Sequence, residues 1–493
     1  MASHFPKFGL SSGLRAALLV GLVLPIATTS ADAALTIATS ATKNMSCSAG
    51  VCSATKANAV LNSSDLQNML AASNVQVVSG SVAGAINVKA ALSWASANTL
   101  TLDSYTSVTV DKPVAVTGSG GLIVTTDDGG AGGTLAFGAA GYVTFWSTSD
   151  HLTINGVAYK LVNSIAELVN DIAYGNLALA NSYDAHADGL YRGAPINGST
   201  FTGTLQGLGN TISDLTISGT TIQQYVGLFA KTGGGTIANL RLKNVLIKGK
   251  SSGAGGLVGY LNGGEVIGCS VSGRILGGKF GGANEVPLGG LVGLSEGIVS
   301  NSSSTASVTG TGFYYAGGVV GVNGDIITGS YASGSVSATG AGVSVGGLVG
   351  YDAATSSGYG IYNSYATGAV TGGAGSNVGG LVGYSDGSFE NVGVSFSDSY
   401  STGAVTGGAG SYLGGFIGKS IASDFSDNYW DSSTSGIANA SQGCGNTASC
   451  TGVTGLSAAQ FQAGLPAGFS SAIWGESASI NGGLPYLLAI PPT

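Results

Sequence analysis

Apolar and small polar residues alternate along most of this chain in runs of three to five, broken by glycine, asparagine or aspartate. Leu215-Thr216-Ile217, Ser335-Val336-Ser337 and Ala404-Val405-Thr406 show the pattern. A period of two with frequent breaks predicts short half-buried strands separated by tight turns. Upstream, segments beginning at Leu100, Ser107, Val114, Leu122, Thr134, Tyr142 and Leu152 follow the same rule with Gly or Asp corners. Three stretches depart from it. Ser64 to Gln67, Ser164 to Glu167 and Ser457 to Gln460 each fit a capping box. Apolar residues at helical spacing follow: Leu66, Met69 and Leu70 in the first, Ile165, Leu168, Val169 and Ile172 in the second, Phe461 in the third. These predict short helices, and the first and third sit where a stack of strands needs its ends covered.

A second pattern lies over the first. The string GGLVG or a near variant starts at Gly255, Gly289, Gly317, Gly346, Gly379 and Gly414, roughly every thirty residues, with a weaker copy at Val226 to Ala230. A unit of that size cannot bury its own apolar face, so neighbouring copies must stack. Aligned on the first glycine, Cys269, Ser303, Tyr331, Tyr365, Tyr400 and Tyr429 form one column, and length differences fall at two places only, as expected of corners that accept insertions. Gly numbers 86 and Pro 9, and the segments between glycines are rich in Val, Ile, Thr, Ser and Tyr, which suit strands. The fold expected is all-β, a parallel β-helix solenoid with short helical caps. The upstream strands read as irregular coils of the same solenoid, with a separate β-sandwich as the alternative.

The N-terminus carries Lys7 and Arg15, then an apolar run from Ala16 to Ile26 and small residues at Ala31-Asp32-Ala33. This is the plan of a secretory signal peptide cleaved before Ala34, and no later stretch is long and apolar enough to span a membrane. In an exported chain, Cys47 with Cys52 and Cys444 with Cys450 are candidate local disulfides, while Cys269 reads as a small stacked residue. Only 8% of residues are charged and the net charge is -8, which leaves no basic footprint for nucleic acid. The histidines, His4, His151 and His186, are scattered and offer little to a triad or a metal site. Asp424, Asp427 and Asp431 form the densest carboxylate group and Asp127-Asp128 a second. Turn chemistry, calcium and catalysis are all open to the first group. No catalytic, cofactor or metal residue is assigned.

The repeats Gly256 to Gly259, Gly290 to Gly293, Gly347 to Gly350 and Gly380 to Gly383, with Asn363 to Val370 and Asp398 to Val405 between them, look like GLUG-motif repeats. Asn428 to Asp431 with Gly455 to Gln460 resembles the closing segment of such arrays. Leu100 to Tyr105, Leu152 to Gly156, Ala180 to Asp184 and Phe201 to Asn210 are similar to filamentous haemagglutinin-like surface proteins of Gram-negative bacteria. The resemblance implies a right-handed β-helical rod at the cell surface or released from it, with an adhesive role and no catalytic residues. The chain is short for a large adhesin and shows no NPNL-type secretion domain.

The organisation expected is a signal peptide over 1–33, an N-terminal cap over 34–73, irregular coils over 74–225 with a helical insertion near 164–173, GLUG-type coils over 226–431 and a C-terminal cap over 432–493. The function expected is non-enzymatic: adhesion or cell association through repeated faces toward glycans or host and environmental surface proteins. Tyr331, Tyr365, Tyr400 and Tyr429 are the candidate contact column, with mutual stacking as the competing role. A carbohydrate-active β-helix enzyme, lyase or hydrolase, and a periplasmic scaffold are the alternatives.

Overall fold

The computed structural model describes residues 33–492 except 131, 198–200, 220–223, 250–252, 278–285, 313, 354–358, 388–393, 422, 438, 440, 448 and 449. The expected signal peptide lies almost wholly outside the described residues. The chain is all-β, with long sheets of parallel strands in the arrangement of a β-helix. Sixteen of the described strands join in one sheet, the long ladder, from Met45–Ser48 to Ser423–Ser426.

In the first half each coil has three faces. Leu35, Ile86, Val108 and Leu135 stack on one, Leu92, Val114 and Val143 on the second, and Val75, Leu100, Leu122 and Leu152 on the third. A sandwich built from hairpins would pair these strands antiparallel; they pair in parallel across coils. Two antiparallel hairpins interrupt the stack, at 45–54 and at 151–162. The second turns at Asn155 and Gly156, both with positive φ, the Asn-Gly chemistry of a tight hairpin.

In the second half each coil crosses two short strands that meet at the glycine-rich corner, then the long ladder, then a two-part strand. Leu177, Leu205, Ile237, Val266, Val299, Ile327, Ile361 and Phe396 form an inward column of the long ladder, each nearly inaccessible to solvent. Burying an apolar side chain of this size contributes about 1.5–3 kcal/mol, so the column supplies much of the cohesion between coils. At the corner, Leu257, Leu291, Val319, Leu348, Leu381 and Phe416 form a second fully buried column. There the Leu348 carbonyl accepts from Val319 N–H at 2.9 Å and from Val320 N–H at 3.1 Å.

The three glycines of the repeat each exclude a Cβ by close approach. A Cβ on Gly317 would lie 2.7 Å from Gly350 N, one on Gly318 would lie 2.2 Å from Gly347 O, and one on Gly321 would lie 2.5 Å from Leu288 N. Successive coils thus interlock backbone to backbone at this corner. Left-handed backbone falls elsewhere, in the column Asn239, Gly268, Asn301, Gly329, Asn363, Asp398 and Asp427 between the long ladder and the two-part strand. Asn, Asp and Gly are the residues that tolerate this conformation.

The Cys269 alignment needs a correction of one residue. Ser270, not Cys269, pairs with Ser303, and the tyrosines continue that column. Cys269 belongs to a buried polar ladder with Ser302, Ser330, Ser364, Ser399 and Asn428. Each member's N–H from Cys269 to Ser399 donates to the side chain of the next, at 3.1 to 3.3 Å. Each serine hydroxyl donates in turn to the carbonyl two residues earlier, for example Ser364 Oγ to Tyr362 O at 2.7 Å. The fixed strand register, not the count from the glycines, decides the column.

Two of the three expected capping boxes do not close, and one of the two caps shifts. The first helix is Ser63–Ala72, and its cap is Asn62, whose side chain accepts from Ser64 and Asp65 N–H, in place of Ser64. Ser164 caps Ile165–Asp171, but Glu167 reaches Asn163 N–H instead of closing a full box. Ser457 and Gln460 do form the reciprocal box before Ala458–Phe461.

Candidate functional site

Ligand contact and mutual stacking were both open to the tyrosine column; the structure stacks its rings and places them beneath the C-terminal segment. Parallel in-register pairing holds Tyr331, Tyr365 and Tyr400 with ring centroids 4.9 Å apart and planes within 6°, close to the spacing between strands. Phe461, Phe469, Trp474 and Leu487 close over the rings. Tyr400 Oη donates to Pro485 O at 2.5 Å and accepts from Asn481 Nδ2, and Tyr429 Oη donates to Ala467 O. Tyr365 and Tyr400 are no more than 1% exposed. Burial pushes the Tyr400 and Tyr365 phenols well above their usual range. The segment after Leu456 therefore lies along the flank of several coils, with Trp474 Nε1 reaching Asn363. An end cap would not reach so far back. What covers the last regular coil is the described part of 435–456, which bonds to it through Gln442, Gly443 and Gly452 carbonyls.

Disulfides join Cys47 to Cys52 across the first hairpin and Cys444 to Cys450 in this covering turn. Cys269 is free and buried, and burial pushes its thiol up to about 12, which disfavours the thiolate a nucleophile needs.

The carboxylate groups resolve into separate roles. Asp427 takes the left-handed corner, Asp431 is buried and accepts from Ser433 N–H at 2.7 Å, and Asp424 is exposed. Asp127 has positive φ and accepts from Gly132 N–H within its turn. Among the described residues no three His, Cys, Asp or Glu side chains converge as a metal site. His151 and His186 are exposed, the first opening a strand and the second within the 3-10 turn Ala185–Asp188.

Two sites lay beyond sequence reasoning. On the strand after the glycine corner, Lys231, Tyr260, Leu294, Val322, Tyr351, Tyr384 and Lys419 share one outer column. Lys231 sits 4.5 Å over the Tyr260 ring and Lys419 5.3 Å over Tyr384, so a cation covers an aromatic face near each end.

The other site is the junction between irregular and regular coils. Trp146, Val157, Val169, Tyr174 and Leu190 are all exposed there, Trp146 by 77%. Helix Ile165–Asp171 and the segment 191–195 enclose an open groove of about 480 Å³ lined by Ile165, Val169, Asn170, Tyr191, Arg192 and Pro195 among others. Asp188 accepts from Tyr183 Oη and, at 2.6 Å, from Tyr191 Oη. Burial and this carboxylate push Tyr183 up to about 12 and raise Tyr191 as well. Lys160 pairs with Asp171 at 2.5 Å. A signal was present in the sequence: Tyr183, Asp184, His186, Asp188, Tyr191 and Arg192 crowd into ten residues of a chain poor in charge.

Residues 250–276 match the family model of the GLUG motif. The described part of that span is most of one coil, from Gly253–Ala254 through the glycine corner and Val258–Leu261 to the strand Ser270–Gly277. No curated protein and no solved structure matches the chain. Among the described residues no helix is long and apolar enough to cross a membrane.

Proposed function

We propose that this chain is an exported, non-enzymatic, right-handed β-helical rod that works by adhesion or cell association, binding glycans or surface proteins. The right hand is the one that parallel strand crossovers adopt almost without exception. One observation carries the binding part of the reading. The regular coils bury the column Tyr331, Tyr365, Tyr400 and Tyr429, whereas the segments around the junction leave Trp146, Tyr174 and Leu190 exposed and place Val169 in an open groove. Large apolar side chains gathered at an interruption of a regular surface mark an interaction site. The repeat supplies reach and stiffness, and several rods on one cell add avidity.

The test has three arms. Fractionation of producing cells follows the protein into medium, outer membrane or periplasm; a purely periplasmic chain would replace the adhesive role with a scaffold role. Binding to cells and to immobilised glycans should fall when Trp146 and Tyr174 are both changed to Ala. Incubation with a polysaccharide panel should release no new reducing ends or unsaturated products; either product would overturn the non-enzymatic assignment.

A further inference from the structure

We infer that the junction groove binds an acidic sugar unit, with Arg192 receiving its carboxylate; this inference rests on the binding role proposed above. Three features of the groove converge on such a ligand. The helix contributes an apolar wall through Ala166 and Val169, both exposed, against which the C–H face of a pyranose ring can lie. Asn170 and Tyr191 bring an amide and a phenol to the same groove, groups that match sugar hydroxyls. Arg192 brings a guanidinium that makes no ion pair or hydrogen bond among the described residues.

The carboxylates around the groove already have donors of their own. Asp188 holds the Tyr183 and Tyr191 hydroxyls, Asp171 holds Lys160 and Glu167 holds the Asn163 N–H. The Arg192 fork is therefore uncommitted in a groove whose neighbouring anions are engaged, and a planar carboxylate is the group it fits in a bidentate manner. Asp188 also pins the Tyr191 ring, which lowers the cost of ordering that wall when a ligand enters. An uncharged sugar would leave the guanidinium unused. A peptide carboxylate shares the anion but does not present the flat apolar ring face that the helix wall accommodates.

The experiment titrates the full exported chain calorimetrically with a galacturonate tetrasaccharide and with the same tetrasaccharide methyl-esterified at its carboxyls. The expected result is binding of the acid, at least tenfold weaker binding of the ester, and a loss of about ten- to hundredfold for Arg192→Gln. Arg192→Lys should fall between, because it keeps the charge and loses the fork. Lys56→Gln, an exposed cation removed from the N-terminal end of the stack, should change nothing. Arg192 is exposed, so unchanged melting of its variants verifies folding. Equal affinity for acid and ester, no effect of Arg192→Gln, absence of binding at millimolar ligand, or tighter binding of an acidic peptide of equal charge would each overturn the assignment. Failure here with glycan or cell binding intact in the Trp146 and Tyr174 assay would remove the groove ligand and leave the adhesive role standing.

Discussion

Asp352 should make the rod lose stability as pH rises from about 4 to about 7, and Asp352→Asn should remove that loss. The carboxylate ends strand Val349–Asp352, stacked between Asn323 and Ser385, and is fully buried. Asn323 Nδ2 donates to Oδ1 at 2.9 Å and also to the Asp325 carbonyl, while Oδ2 and Asn323 Oδ1 have no partner among the described residues. Burial raises the acid to about 7 from an ordinary 3.8, and the Asn323 hydrogen bond opposes that only in part. The folded state therefore holds the proton more tightly than the unfolded chain. That contribution is complete below about pH 4, fades as pH climbs through the folded value, and is absent above it. A gap of about three units corresponds to about 4 kcal/mol, an upper figure because burial of this kind relaxes with water entry. Asparagine preserves the acceptor for Asn323 and carries no charge. Urea unfolding followed by tryptophan fluorescence at pH 4.5, 6, 7 and 8 should show the wild-type midpoint falling across the series and the variant falling less. Asp325, also raised by burial, is present in both proteins and cancels in the difference, while Tyr362 beside Asp352 is raised above its ordinary 10 and stays protonated across the series. Parallel profiles, or a variant no more stable than wild type at pH 8, would refute the argument.

Other consequences follow from the stacking. Gly350→Ala places a Cβ 2.5 Å from Ala316 N, so neighbouring coils must separate; a loss of about 3 kcal/mol or more is expected in denaturant melts, and an unchanged melt would show a looser corner. Ser364→Ala leaves the Ser330 N–H without its acceptor and should cost about 1–3 kcal/mol by the same measurement. Ser364→Cys should cost less, because in that ladder the Cys269 thiol already donates to the carbonyl two residues earlier, as the serine hydroxyls do. Tyr400→Ala removes a ring packed on Tyr365, Phe461 and Trp474, with a cost of about 3–5 kcal/mol. Hydrogen exchange should then rise across residues 457–490, and unaltered exchange there would contradict the flanking role of that segment.

The extent to which the sequence is legible follows from how local each feature is. Strands were readable because alternation and glycine corners are local, and the repeat was readable because stacking demands near-identical coils. Cys269 was misaligned by one residue because counting from the glycines ignores the single-residue difference in that arm, whereas strand hydrogen bonding tolerates no such slip. The Asn62 cap escaped notice because Ser63, Ser64 and Asn62 are all good cap residues, and the bonds Asn62 also makes to Thr39 and Ser40 carbonyls select it. At the groove only the crowding of polar residues over 183–192 was legible; its shape was not, because its walls come from two segments joined only by the fold.

By itself, the chain's pattern of small, β-branched and glycine residues determined an all-β stack with a period of one coil. It also marked the places where cysteines staple the ends. Only the tertiary structure decided which way the tyrosines are used. Their spacing permits either an open aromatic stripe or a covered one, and the distant segment carrying Phe461, Phe469 and Trp474 folds back to cover them. The same holds for Asp352 and Arg192: among the described residues one is buried without a full set of partners, and the other stands unpaired in a groove whose facing wall is the helix Ile165–Asp171.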